Sequence, residues 1–475
     1  MSNIREQQVT EDLHYKTIAE LAPLIRDGKL SSVELTESQL ARIKRLDGRL
    51  KSYATVMADS AREQARTADA EIASGNYRGP LHGIPVAVKD LCATDGVRTM
   101  GGSAVFADNV PDFDSTVVAR FNDAGAVMLG KLNLTEGAMG GYNPKLDIPE
   151  NPWKESYWSG ASSSGSGCAT AAGLAFGTLG SDTGGSIRHP AAVCGTVGLK
   201  PTWGRVSRYG VMNLAESLDH LGPLTRSAAD AGYVLQAIAG LDPNDPTTLP
   251  QSVPDLTATL NSGVKGLKIG FDENYASEDM EPDFAAAVFA GVKVMESLGA
   301  EIVPVKMPAR LREYMSAWPI ICSAEAAHAH DTTFPSRSDE YGPFFRQWLT
   351  DGTSYTAAEL ARAELLRAAC VGEFRLTMRG IDLLAGPSTA RAAYPVTPEE
   401  MYGPPSPDRD PWMSRFTVPS DYAGLPTISL PCGLNGEGLP LSLQFVGHHL
   451  SEQLLVQAGH AFEGATDFHN LHPPV

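Results

Sequence analysis

Apolar residues in the first part of the chain recur at helical spacing. Ile18, Leu21 and Ile25, then Val33, Leu35, Leu40, Ile43 and Leu46, fall three to four residues apart or at longer multiples of a helical turn. Ser31 followed by Glu34 supplies a capping box for the second helix. The spacing predicts a helical segment over residues 1–75. From Leu81 the pattern changes to short apolar runs punctuated by Gly and Pro, such as GIPVAVKDL and GAVMLGKLN, which read as buried strands with connecting helices. Residues 266–306 repeat the alternation as strand GLKIGF, an amphipathic helix over 284–298 and strand AEIVPV. Residues 307–352 give no clear assignment, and a helix is expected over 356–379. PTISLPC and LPLSLQFVG read as closing strands joined by a turn at 435–438. The pattern predicts an α/β protein with a mixed or parallel sheet, and the Pro-rich stretch 403–411 is expected to be a loop.

Composition narrows the function classes. A chain of 475 residues with 43% hydrophobic and 20% charged residues is an ordinary globular protein, which excludes a coiled coil, a collagen or a mainly disordered chain. Asp and Glu outnumber Lys and Arg by 56 to 38, so neither nucleic acid nor an anionic membrane is expected as a general partner. The opening MSNIREQQVTEDLHYK resembles neither a secretion signal nor a transit peptide, and a cytoplasmic protein is expected. The most apolar long stretch, 168–179, is too short to cross about 30 Å of hydrocarbon. Six cysteines with no CxxC pair point to buried thiols rather than a zinc knuckle or a disulfide framework.

Several familiar signals fail through a missing part. Gly125 to Lys131 has phosphate-loop spacing, but Leu132 stands where the magnesium-binding hydroxyl belongs, and the run between is strand-like. Glu325, His328 and His330 lack the HExxH spacing, and a helix face at the core edge is the expected reading. No Gly-x-Ser-x-Gly elbow occurs, so a serine nucleophile would need a base other than the histidine of an α/β-hydrolase.

The serine- and glycine-rich block 159–201 carries more. Its GSDTGGS turn can aim several backbone N–H groups at one point, the construction of an oxyanion site, although glycine clusters alone also mark plain turns. Upstream, GIPVAVKD ends an apolar strand on Lys89, and alternation sends Lys89 and Asp90 to opposite faces. A lysine buried among Val and Ala can lose its proton. Reaching neutrality needs a fall of about three pKa units, about 4 kcal/mol.

GIPVAVKD, the block ending GSDTGGSIRHPAAVCGTVGLKPTWGRVSRYG, and the late DYAGLPTISLPCG with LPLSLQFVG together resemble the amidase signature family from about residue 15 onward. The resemblance implies a large mixed β-sheet core covered by helices on both faces. Residues 1–75 would pack on an α/β domain over 76–475, with a variable substrate-pocket region at about 307–352. Carried over residue by residue, it implies Lys89 as base, Ser162, reached through a cis peptide, as bridging serine, and Ser186 as nucleophile. The backbone N–H groups of Thr183, Gly184, Gly185 and Ser186 would form the oxyanion loop. Asp182 and Arg188 are expected to brace that loop as an ion pair, with Ser163 as a further supporting hydroxyl. The implied chemistry is amide hydrolysis through a serine acyl-enzyme, without metal or organic cofactor.

Substrate signals are thinner. Tyr142, Trp153, Tyr157 and Trp158 precede Ser162, and Tyr314, Trp318, Phe334 and Phe344 crowd the variable region. Tyr142, Trp153, Trp158 and Trp318 are the pocket candidates, pointing to a small aryl or apolar amide as partner; core packing is the alternative reading of the same residues. The stretch GGYNPKLDIPENPWKESYWSGASSSGSG resembles the branch that includes urethane-cleaving and aryl-amide hydrolases, which adds carbamates. The glutamine-hydrolysing chains of tRNA-dependent amidotransferases carry an aspartate where Ser414 stands in SRFTVPSDYAGLP, which argues against that function here. A non-catalytic amidase-like binding protein would be expected to lose the lysine or a serine, and all three are present.

Overall fold

Apolar runs without alternation become strands buried on both faces. The computed structural model describes residues 13–408 and 410–475; the opening MSNIREQQVTED, on which the expectation of no leader rests, lies outside them. The strands are β1 (Tyr53–Val56), β2 (Pro85–Lys89), β3 (Val127–Leu132), β4 (Gly177–Asp182), β5 (Val197–Lys200), β6 (His220–Thr225), β7 (Lys268–Phe271), β8 (Glu301–Pro304), β9 (Leu383–Pro387), β10 (Thr427–Leu434) and β11 (Pro440–Gly447). They form one 11-stranded sheet in the order β1-β3-β2-β4-β6-β5-β10-β11-β9-β7-β8. β2 is parallel to β3 and β4, and β7 to β8 and β9, while β4 is antiparallel to β6 and β10 to β11, so the sheet is mixed. Every residue of β2, β3, β4, β5, β6, β9 and β11 is buried. Because successive side chains point to opposite faces, both faces are covered. Only the edges β1 and β8 are half open.

The N-terminal segment departs from the purely helical expectation. Helices Ile18–Arg26, Ser32–Leu50 and Ala58–Ala73 form, the second with the Ser31–Glu34 capping box read from the sequence. Between them YATV pairs antiparallel with β3 as the edge strand β1. Four residues of which one is buried carry no readable period, and pairing to β3 decides their state.

Residues 307–352 resolve into helices Leu311–Met315, Ala317–Ala329 and Pro343–Ser354, followed by Ala357–Thr377. Ala317–Ala329 packs against both later helices, so its apolar residues form no single stripe. Gly352 makes one of these contacts possible: a Cβ there would lie 1.9 Å from the Ser323 carbonyl oxygen. Gly352→Ala should therefore destabilise the fold by about 1–3 kcal/mol in urea unfolding, because backbone must part to admit the methyl group.

The rejected motifs have structural roles. Lys131 is buried in β3, donates to the Cys92 carbonyl at 2.7 Å and to Thr99 Oγ1 at 2.6 Å, and pairs with Asp90 at 3.3 Å. Glu325 accepts from the Ser217 hydroxyl at 2.6 Å, and buried His330 meets the Tyr341 hydroxyl at 2.9 Å. All six cysteines are buried. No helix of the described residues is long and apolar enough to cross a membrane.

Candidate active site

Two parallel neighbours, β2 and β4, end side by side, and each delivers a polar residue where its ladder stops. β2 ends on Lys89, and β4 ends on Asp182, directly before the Thr183–Ser186 turn. Clefts beyond the carboxyl ends of parallel strands are the usual ligand sites of α/β sheets. Helix Ser164–Ala171 starts at the same point, directly after Ser162 and Ser163.

Lys89 is fully buried, and its Nζ donates to Ser162 Oγ at 2.6 Å, Ser163 Oγ at 3.0 Å and Ser181 Oγ at 2.9 Å. Three neutral hydroxyls leave its charge without a bonded counterion. Burial lowers its pKa from 10.5 to about 7, against the opposing pull of Asp219 and Asp182. Asp90 leaves on the other side toward Lys131, as strand alternation requires. The Ala161–Ser162 peptide is cis. Ser186 is joined to this cluster through the backbone, its carbonyl accepting from the Ser163 N–H at 3.4 Å, and it stands half-buried in the wall of a cavity of about 590 Å³.

The turn that carries Ser186 is held by a buried ion network. Asp182 accepts from the N–H groups of Gly185 at 2.6 Å and Ile187 at 3.0 Å, and from Arg188 Nε at 3.0 Å and Nη2 at 2.8 Å. Burial alone would raise its carboxyl, but the Arg188 guanidinium holds it well below the ordinary carboxylate range. Arg188, itself fully buried, also donates to the Thr417 carbonyl at 2.9 Å, Ser420 Oγ at 2.7 Å and Asp421 at 2.7 Å. This network corrects one member of the expected oxyanion set: the Gly185 N–H is taken by Asp182. Thr183, Gly184 and Ser186 line the cavity, and Gly185 does not.

Of the four aromatic pocket candidates, Trp158 and Trp318 line the cavity, together with Phe344 and Tyr394. Tyr142 and Trp153 do not. Tyr142 is buried and donates to Ser164 Oγ at 2.8 Å, and Trp153 donates its indole N–H to the Cys194 carbonyl at 2.7 Å. Both brace helices behind the site, because a polar tip that finds a backbone or hydroxyl partner in the core stays there. Tyr314 and Phe334 are core residues as well. Tyr394 stacks on Trp158 with centroids 5.3 Å apart, and Arg391 lies 3.7 Å over Tyr394. Exposed Arg391, Asp408 and Asp410 mark the open end.

Sequence reasoning missed Ser181, Thr417, His189 and the Arg391–Tyr394 pair. Ser181 is visible inside GSDTGGS as the residue before Asp182, and Thr417 inside SRFTVPSDYAGLP. Nothing in the sequence near Arg391 marks it.

Comparisons with known proteins give the family and the fold. The family profile "Amidase" matches residues 34–456. The chain is 45% identical to a putative amidase, AmiD, of Mycobacterium tuberculosis over 96% of each chain. It is also 41% identical to a Glutamyl-tRNA(Gln) amidotransferase chain of Moorella thermoacetica, over 97% of this chain and 99% of that one. A bacterial aryl acylamidase of the amidase signature family superposes with a TM-score of 0.86 at 25% identity, covering 97% and 98% of the two chains. With the fold, the buried lysine–serine cluster and these matches in hand, the chain belongs to the amidase signature family.

Proposed function

We propose that the protein hydrolyses the C–N bond of small aryl or apolar amides, and of aryl carbamates, through an acyl-enzyme on Ser186. The observation that carries this reading is the fully buried Lys89, lowered to about 7 and 2.6 Å from Ser162 Oγ. Neutral Lys89 takes the Ser162 proton while Ser162 takes that of Ser186. Ser186 Oγ then bonds to the carbonyl carbon, and the negative charge forms on its oxygen beside the turn. The C–N bond breaks as the same relay returns the proton to the departing amine, and water repeats the sequence to release the acid. The amine and acid sides share one cavity, whose Trp158, Trp318, Phe344 and Tyr394 favour an aromatic or apolar body.

The relation to a Glutamyl-tRNA(Gln) amidotransferase chain supports a second reading, glutamine hydrolysis for a larger assembly. Ser414 lies in the cavity wall where the resemblance puts a glutamine-binding aspartate, and it offers no charge to an α-amino group. Asp410 lies in the same wall but is engaged with Arg312 at 3.1 Å. A panel of p-nitroanilides, primary amides, aryl carbamates and glutamine separates the readings. The first expects kcat/KM on an aryl substrate to exceed that on glutamine by at least about tenfold. Preference for glutamine supports the second, and inactivity of the wild-type protein on the whole panel counts against both.

A further inference from the structure

The turn before Ser186 consists of peptide groups, and a planar trans peptide sends its N–H and C=O in opposite directions. Whatever holds a carbonyl of this turn therefore aims the N–H of the next residue. Two side chains do so from outside the turn. Trp318 Nε1 donates to the Thr183 carbonyl at 3.0 Å, and Thr417 Oγ1 donates to the Gly184 carbonyl at 2.6 Å. The Gly184 peptide is thus held at its oxygen by Thr417 and at the Gly185 N–H by Asp182. The Thr183 peptide is held at its oxygen by Trp318, and the Gly184 N–H at its other end is left for a ligand. Gly184 must be glycine for this fit, since a Cβ would lie 2.6 Å from the Trp318 ring.

We propose that Thr417 and Trp318 are positioning residues for the oxyanion site, fixing two successive peptide planes so that the Gly184 N–H meets the developing oxyanion. This deepens the reading of Ser186 as nucleophile and rests on it. The two arrive from different parts of the chain, Trp318 from the variable region and Thr417 from the segment just before the late block. Thr417 has a single proton to give, and the Gly184 carbonyl at 2.6 Å is nearer than the Ser414 carbonyl at 3.1 Å. His189 Nε2 lies 3.5 Å from the same oxygen, farther than either carbonyl. Thr417 is fully buried and does not line the cavity, so it acts on substrate only through the turn. Its own carbonyl accepts from Arg188, which closes a ring of contacts from Asp182 through Arg188 and Thr417 back to Gly184.

The test replaces donors while keeping shape. Thr417→Val should lower kcat about 10- to 100-fold, short of the loss of a full oxyanion donor, with KM within about twofold. Binding of an aryl boronic acid, which forms a tetrahedral adduct on the nucleophile, should weaken in parallel with kcat. Binding of a planar, non-hydrolysable substrate analogue should not change. Thr417→Ser, which keeps the hydroxyl, should recover most of the rate, and Trp318→Phe should reproduce the kcat and boronate losses. Thermal melts report which variants are folded, and Trp318→Phe carries the test if Thr417→Val is not. A folded Thr417→Val enzyme with wild-type kcat overturns the proposal. So does a Thr417→Ser variant as impaired as the valine one, or equal weakening of boronate and planar analogue. Ser186→Ala, run alongside, must abolish hydrolysis; activity surviving there removes the nucleophile assignment itself, whatever Thr417 does.

Discussion

Lys89→Met is expected to lower kcat/KM by about 10²–10⁴-fold, toward the upper end because base and serines act as one unit. The wild-type rate should rise with pH through about 7, as the fraction of neutral Lys89 grows, and level off above it. Stability should follow the same direction. The unfolded chain keeps the lysine proton up to the ordinary 10.5, whereas the folded chain releases it near 7, so native stability rises with pH across that interval. The difference amounts to about 5 kcal/mol that the native state forgoes at and below neutrality. Methionine removes that cost but deprives Ser162, Ser163 and Ser181 of their shared donor, which gives back about 1 kcal/mol each. Thermal melts at pH 7 should find the inactive variant at least as stable as the wild type, with the advantage gone by pH 10. Loss of activity together with marked destabilisation at pH 7 would assign Lys89 a structural role instead.

Arg188→Met should have the largest effect on stability. The guanidinium is the direct partner of both Asp182 and Asp421, and all three side chains are almost completely buried. Removing it strands two carboxylates in the core, a change that costs at least about 3–5 kcal/mol for one broken buried pair. The variant should accumulate as insoluble protein or unfold at markedly lower urea concentration. Where soluble protein is recovered, its activity should be low because the turn carrying Ser186 has lost its anchor. Lys200, with Nζ 3.7 Å from Asp421, remains as a partial counter-charge, but its hydrogen bonds go to the Pro201 and Leu425 carbonyls and not to either carboxylate. Wild-type stability in Arg188→Met would show that the network contributes little.

The parts of this fold that are legible in the sequence are those in which a local rule and tertiary packing agree. GIPVAV is a continuous apolar run because β2 is covered on both faces, and the Ser31–Glu34 cap satisfies its helix whatever surrounds it. β1 is hidden because YATV borrows its conformation from β3. The helices of 307–352 are hidden because Ala317–Ala329 is packed from more than one side. At the site, residue types are readable and directions are not. Lys89 Nζ and Ser162 Oγ, which the resemblance only names, lie 2.6 Å apart. Tyr142 and Trp153, though close to Ser162 in sequence, turn into the core, where each finds a hydrogen-bond acceptor. The Gly185 N–H looks available to an oxyanion because nothing in GSDTGGS reveals that the Asp182 carboxylate folds back onto it. Thr417 acts across 233 positions of sequence, a distance over which only packing carries information.

The most direct measurement is the rate and site of covalent labelling by an aryl phosphonyl fluoride, followed by mass spectrometry across pH. Label on Ser186, arriving faster as pH rises through about 7 and much more slowly in Lys89→Met, is the predicted result. Label on a different residue, or a Ser186 rate indifferent both to pH and to Lys89, would contradict a neutral lysine driving the nucleophile.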